Sequence, residues 1–331
     1  MQPLKVGIVG GGNFFNFVHG PALKCQSGLE RIVICNIDEN VARQNCERWG
    51  FHGFYADFET MVAREKLDAL MLIVPPVVTE KLILRAFETG IPTFTEKPIA
   101  NSLQALEPIQ RAYEKTRARH FVAFNRRHID IVKQGREHAY AQGGIAHLAI
   151  DFFRVDRTAP TSIMGQGIHA IDTIQYLAGD VAEIQTIVSP TQYFDKKPIA
   201  FTSLLKFESG ITGVFNYNCR AGQNCERYTL FCENTSVIMQ LTNPGETHYP
   251  KTLQIYEKEK LIRDVDYSRD LPKEQQTAWH YNGIVEEQRF FFDAVREKRE
   301  MRPNVLDAIR TTRLAEAINA GYSGRLSDFS R

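Results

Sequence analysis

What this sequence lacks narrows it first. No stretch reaches the run of about 18 apolar residues that a spanning helix needs. The most apolar segment, Leu67 to Val78, is broken by Asp68, Pro75 and Pro76. A membrane-spanning protein is therefore not expected. A surplus of one charge sign is missing too: 40 Lys and Arg stand against 39 Asp and Glu, a formal net charge of +1. So balanced a chain carries no electrostatic footprint for nucleic acid or an anionic membrane. Cys25, Cys35, Cys46, Cys219, Cys225 and Cys232 form no C-x-x-C pair, and no histidines sit at zinc-finger spacing. The expectation is mostly buried thiols in a reducing compartment, and no metal centre. Met1 to Val9 lacks the charged-then-apolar pattern of a signal peptide. A cytoplasmic enzyme is the starting expectation.

What is present is ordinary in composition and ordered in pattern. Hydrophobic residues make up 43% and charged residues 24% of 331 residues. That is typical of soluble globular chains and long enough for about two domains. Strand-like runs at Lys5–Val9, Arg31–Asn36, Asp68–Val74, Pro92–Thr95 and His120–Phe124 alternate with helical stretches at Glu39–Trp49, Asp57–Glu65, Thr79–Thr89 and Ser102–Thr116. Such alternation implies parallel strands with right-handed crossovers, hence a doubly wound α/β (Rossmann) domain over residues 1–124. Beyond it, long alternating runs separated by turns predict a mostly antiparallel open sheet flanked by helices, an α+β domain over residues 125–331. Glu208-Ser209-Gly210 and Asn243-Pro244-Gly245 are two of those turns.

Gly10-Gly11-Gly12 follows the first strand directly and precedes a helix. Glycines there let backbone amides approach a pyrophosphate, which the helix N-terminus also favours. Gly10 and Gly12 satisfy the first half of the dinucleotide fingerprint; Phe15 stands where its third glycine falls. Asn13 and Phe14 continue the loop, and the phenylalanines either line the cofactor pocket or belong to the core. Asn36 ends the second strand, where a ribose ligand belongs. Asn can bond a 2′-hydroxyl without repelling a 2′-phosphate, so both NAD and NADP remain open.

Thr95-Glu96-Lys97-Pro98 lies at the carboxyl edge of the predicted sheet. An E-K-P there resembles the glucose–fructose oxidoreductase / inositol dehydrogenase (Gfo/Idh/MocA) family. Val74-Pro75-Pro76, Phe124-Asn125-Arg126-Arg127, Gly167-Ile168-His169-Ala170-Ile171-Asp172 and Arg302-Pro303 with the helix after it agree, in order along nearly the whole chain. The resemblance implies an NAD(P)-dependent dehydrogenase or reductase of carbohydrate metabolism. Its substrate would be a sugar, sugar acid, nucleotide sugar or cyclitol. It also implies a homo-oligomer, dimer or tetramer, and a cis Lys97–Pro98 peptide. Val74, Pro75, Glu96, Lys97 and Asn125 would join the cofactor site.

For the chemistry, Lys97 would hydrogen-bond and stabilise a developing alkoxide. His169 suits a general acid/base, titrating near neutrality. Asp172, one helical turn on, would orient the imidazole or accept a substrate hydroxyl. Arg126 and Arg127 would bind substrate or cofactor, or form structural ion pairs. The chain also departs from the family. An acid expected four residues before the histidine is Gly165, and a histidine expected after the Pro-Pro turn is Thr79. The first loop is one residue longer before Val18-His19 than is usual. These departures leave two alternatives: an acid/base role moved to Tyr281, His280 or a tyrosine of the second sheet, or a catalytically inactive dinucleotide-binding regulator of the same fold.

Overall fold

Seven residues, Leu4–Gly10, form β1, and all of them but Lys5 are buried. The next strands are β2 (Leu29–Cys35), β3 (Gly53–Tyr55), β4 (Ala69–Ile73), β5 (Thr93–Thr95) and β6 (His120–Val122). They make one parallel sheet in the order β3-β2-β1-β4-β5-β6. All five residues of β4 are buried, as expected of a central strand covered on both faces. Helix starts follow the sequence: the side chains of Asp38, Asp57 and Ser102 accept backbone N–H bonds at the N-caps of Glu39–Trp49, Phe58–Arg64 and Leu103–Thr116. This computed structural model describes residues 2–156, 163–189, 199–241 and 251–329. The expected Asn243-Pro244-Gly245 turn lies outside them.

The chain divides into two units. One comprises Met1–Phe124 with Ile284–Ile309, the other Asn125–Gly283 with Arg310–Arg331. The first break falls at 124/125, but the helix Ile284–Glu297 belongs to the first unit. Its Phe291 and Phe292 enter the core that β1, β4 and β5 build. Phe94 of β5 stacks on Phe121 of β6 at 5.5 Å and meets Phe291 edge-on at 5.5 Å.

The second unit is built on nine strands: β7 (His147–Phe153), β8 (Val181–Val188), β9 (Ala200–Phe207), β10 (Thr212–Asn218), β11 (Cys225–Cys232), β12 (Thr235–Leu241), β13 (Thr252–Glu257), β14 (Lys260–Asp266) and β15 (Ser323–Arg325). Their order is β14-β13-β12-β11-β7-β10-β9-β8-β15. Every neighbouring pair is antiparallel except β7 with β10. Burial alternates along β7, β10, β11 and β12, so one face is dry and the other open. The helix Asp130–Ala141 lies on the dry face. A Cβ at its Gly135 would fall 2.6 Å from Met239 Sδ, so glycine allows the close approach. Among the described residues no helix is long and apolar enough to cross a membrane.

The cysteines correct one expectation. All six are free, but only Cys35 and Cys219 are buried, while Cys25 is exposed and the rest are intermediate. Cys25 closes the helix Gly20–Lys24 at the surface, Cys46 lies within the helix Glu39–Trp49, and Cys225 and Cys232 are the two ends of β11.

Candidate cofactor loop and acid–base cluster

In the first unit, β1 and β4 are neighbours whose chain connections run to opposite sides of the sheet. Such a switch point is where open parallel sheets bind ligands. The expected residues of this unit gather at that carboxyl edge. Gly10 ends β1, Asn36 follows β2, Val74 and Pro75 follow β4, and Glu96 and Lys97 follow β5. Gly10 and Gly11 hold φ of +137° and +114°, and a Cβ on Gly10 would fall 2.2 Å from the Ile73 carbonyl oxygen. Only glycine fits there. A Cβ on Gly12, by contrast, would meet nothing within 4 Å.

Three asparagines turn the loop's carbonyls inward. Asn36 Nδ2 donates to Gly10 O at 2.7 Å, Asn45 Nδ2 to Gly11 O at 3.0 Å, and Asn16 Nδ2 to Gly11 O at 2.9 Å and Gly12 O at 3.2 Å. Helical structure begins at Asn13, whose turn closes with Asn16 N–H on Gly12 O. With carbonyls tied inward, the face left to an incoming group is one of amides at a helix start. Gly12, Asn13 and Phe14 are exposed on it. These residues fit a pyrophosphate. Asn36 keeps a place at the strand end, though its Oδ1 accepts from Asp38 N–H. Phe15 is core: it is 1% exposed and packs edge-on against Trp49 and Phe51. Thr79 bonds the carbonyls of Val74 and Pro75 and so closes the helix start.

Glu96 is tied down from two sides. Its Oε1 is 2.6 Å from Nε2 of the fully buried His19, and its Oε2 accepts the Lys97 backbone N–H at 3.1 Å. Gln288 Nε2 donates to His19 Nδ1 at 3.1 Å and to His19 O at 3.3 Å. The second bond fixes which way the amide points. His19 Nδ1 is then an acceptor, and Nε2–H donates to Glu96. The Lys97–Pro98 peptide is cis.

In the second unit, the turn Asn125–His128 places Asn125, Arg126 and Arg127 in succession. Asn125 Nδ2 donates to Asn282 O at 2.7 Å, and its Oδ1 accepts from Arg126 Nη1 at 3.1 Å. Neighbouring arginines take different partners on the helix Ile168–Ala178. Arg126 Nη1 lies 3.4 Å from His169 Nδ1. Arg127 clasps Asp172 with two bonds, Nε to Oδ2 at 2.9 Å and Nη2 to Oδ1 at 2.7 Å. His169 is half-buried and Asp172 fully buried. Of the other acid/base candidates, Tyr281 is stacked on Tyr267 with Lys251 Nζ 3.7 Å over its ring, and burial raises its phenol pKa. His280 Nδ1 sits 2.8 Å from Thr277 Oγ1.

Sequence reasoning missed the partners beneath Arg126. Glu226 is fully enclosed: Oε1 accepts from Arg126 Nε and Tyr228 OH, each at 3.0 Å, and Oε2 from Arg126 Nη2 at 3.0 Å and Arg154 Nη2 at 2.6 Å. Burial alone would raise this carboxyl's pKa, but the two guanidiniums outweigh it and hold it down to about 2. One signal was available. Alternation along β11 puts Glu226 on the inward side with Tyr228 and Leu230, an unusual place for an acid.

With this geometry in view, comparison with known proteins gives a consistent result. The family model described as "Oxidoreductase family, NAD-binding Rossmann fold" matches residues 4–124. The "GFO/IDH/MocA C-terminal domain" model matches residues 140–238. A D-apiose dehydrogenase of Paraburkholderia graminis is 24% identical over 241 residues, covering 69% of this chain and 64% of that protein. The chain thus aligns with less than two thirds of that relative's length. A dehydrogenase from Chromobacterium violaceum shares the fold at 20% identity, with a TM-score of 0.82 over 97% of this chain and 96% of that one. So does an oxidoreductase from Agrobacterium radiobacter, in complex with NAD+, L-tartaric acid and magnesium, at 18% identity and a TM-score of 0.79 over the same 97% and 96% shares. Ordered motifs, sheet topology and both matched family models lead to one conclusion: this chain belongs to the Gfo/Idh/MocA family of oxidoreductases.

Proposed function

We propose that the protein is an NAD(P)-dependent oxidoreductase acting on a hydroxyl-bearing carbon of a carbohydrate-like substrate. Sugars, sugar acids, nucleotide sugars and cyclitols are the candidates. The observation that carries the reading is the glycine loop. Its carbonyls are tied inward by Asn16, Asn36 and Asn45, and it lies on the same sheet edge as Glu96-Lys97. Family membership and the sugar-dehydrogenase activity in the name of the P. graminis relative support it.

When bound, the dinucleotide supplies a hydride donor or acceptor at its nicotinamide ring. Gly10, Gly12, Asn13 and Phe14 would hold its phosphates, Asn36 the adenosine ribose, and Val74, Pro75 and Glu96 the remainder. Lys97 would hydrogen-bond the reacting oxygen and stabilise the negative charge that develops on it. In the second unit, His169 would hydrogen-bond a substrate oxygen, with Arg126, Arg127 and Asp172 fixing its polar surroundings. The enzyme would act in the cytoplasm. It would do so as a homo-oligomer, and Ile187, Leu204 and Phe231 on the open sheet face offer apolar contact for a second copy.

Calorimetric or fluorescence titration with NADH and NADPH tests the cofactor reading, and absence of binding to both would sink it. A panel of sugars, sugar acids and cyclitols then tests the activity. Binding without turnover anywhere in the panel would favour the regulator reading instead. Loss of turnover in Lys97→Ala and His169→Ala, with cofactor binding kept, is the expected result. Light scattering on the eluting peak reads the oligomer.

A further inference from the structure

The contact between Arg126 and His169 determines more than position. His169 is the second residue of the helix Ile168–Ala178, and its Nδ1 is the atom facing Arg126 Nη1 at 3.4 Å. A guanidinium has donors only and does not lose its charge in proteins. Whatever atom faces it must offer a lone pair. A ring whose Nδ1 offers a lone pair carries its proton on Nε2.

Arg126 cannot easily turn away. It is 2% exposed, and its Nε and Nη2 are each 3.0 Å from separate oxygens of Glu226. Glu226 is itself anchored by Arg154 Nη2 at 2.6 Å and Tyr228 OH at 3.0 Å. The enclosed cluster has two guanidiniums and one carboxylate. A cationic imidazolium beside it would add like charge where little water screens it.

We infer that Arg126 is a positioning residue that holds His169 as a neutral imidazole with its proton on Nε2. This rests on the reading of His169 as a substrate-facing group and sharpens its role. Nε2–H can give a substrate oxygen a hydrogen bond but has no lone pair there to accept a proton. His169 therefore polarises and keeps its proton.

The test uses the full chain labelled with ¹⁵N-histidine and read by long-range proton–nitrogen correlation at pH 7 without cofactor. Signals of His169 are identified by their loss in His169→Gln. The expected spectrum shows an unprotonated Nδ1 and a protonated Nε2, with this tautomer at least tenfold in excess. A ring protonated at both nitrogens, or chiefly at Nδ1, would overturn the inference. A second variant, Arg126→Met with Glu226→Gln, removes the donor yet keeps the cluster's net charge. In it the excess should fall below threefold, and an unchanged excess in the folded variant would also overturn the inference. The wild-type spectrum decides alone if that variant does not fold. Unimpaired turnover in His169→Ala would instead defeat the substrate-facing role, whatever the spectrum shows.

Discussion

Arg127 and Asp172 are joined by two parallel bonds, 2.9 and 2.7 Å long, across 45 residues of sequence. The pair is almost dry, with side chains 12% and 1% exposed. Thr311 Oγ1 adds a longer contact to Asp172 Oδ1 at 3.4 Å. Removing one member of such a pair strands a buried charge and costs about 3–5 kcal/mol. We expect Asp172→Leu to lose about that much in urea unfolding, and Arg127→Met somewhat less, because its partly exposed end already meets water. The double variant should recover at least half of the Asp172→Leu loss. Single variants within about 1 kcal/mol of the parent would show that the pair is dispensable.

Gly10 and Gly12 should separate folding from binding. At Gly10 an alanine would need a left-handed φ and would strike the Ile73 carbonyl at 2.2 Å, so Gly10→Ala should unfold several degrees earlier. At Gly12 the backbone is not left-handed and a methyl meets only open space. Gly12→Ala should therefore melt like the parent, yet bind NADH or NADPH at least about tenfold more weakly, because its methyl would occupy the phosphate's approach. Equal affinity in Gly12→Ala would remove the loop from the cofactor site.

These two sites differ in how far the sequence displayed them. The glycine loop, Asn36, the helix caps at Asp38 and Asp57, and Glu96-Lys97-Pro98 are local: each is written within a few consecutive residues, and the residue type states its task. The partners that organise them are not local. Glu226 lies 100 residues from Arg126, and His19 lies 77 from Glu96 and 269 from Gln288. Such pairs are set by strand register and by which helix closes which unit. Alternation could flag Glu226 as inward but could not name its partner. Short or charged strands were hidden for another reason. Gly53–Tyr55 spans three residues, and the mostly exposed Lys260–Asp266 carries no apolar alternation for a periodicity argument to find.

His19 should matter through Glu96. Its Nε2–H is one of the donors that hold the carboxylate, alongside the Lys97 amide. In His19→Leu the half-buried Glu96 loses that donor, at a cost of about 1–3 kcal/mol. For a unit of this size that is a fall in Tm of roughly 3–10 °C. His19→Gln can present an amide N–H toward Glu96 and should recover part of the loss. Calorimetric scans of both variants check this. Equal Tm values for His19→Leu and the parent would mean that the bond adds nothing to stability.

Acid should weaken the fold in two stages. Burial lowers the pKa of His120 and of His128 to about 3, with Lys133 and then Arg127 adding to the effect at His128. Unfolded, each would titrate near 6.5. Below that value the unfolded chain binds more protons, so stability is complete above about 6.5 and falls as pH drops toward 3, by about 1.4 kcal/mol per pH unit for each histidine. Glu226 acts lower down. Its folded pKa of about 2 lies under the ordinary 4.5, so its share of stability is present above 4.5 and is lost between 4.5 and 2. A plot of unfolding free energy against pH should therefore bend downward near 6.5 and steepen again below 4.5. His120 is the cleaner probe, since its Nε2 meets the Thr95 hydroxyl at 2.9 Å inside the first unit. His120→Gln should cost stability at pH 7 but flatten the slope between 6.5 and 5. A variant with the parent's slope would show that His120 is not the group being protonated.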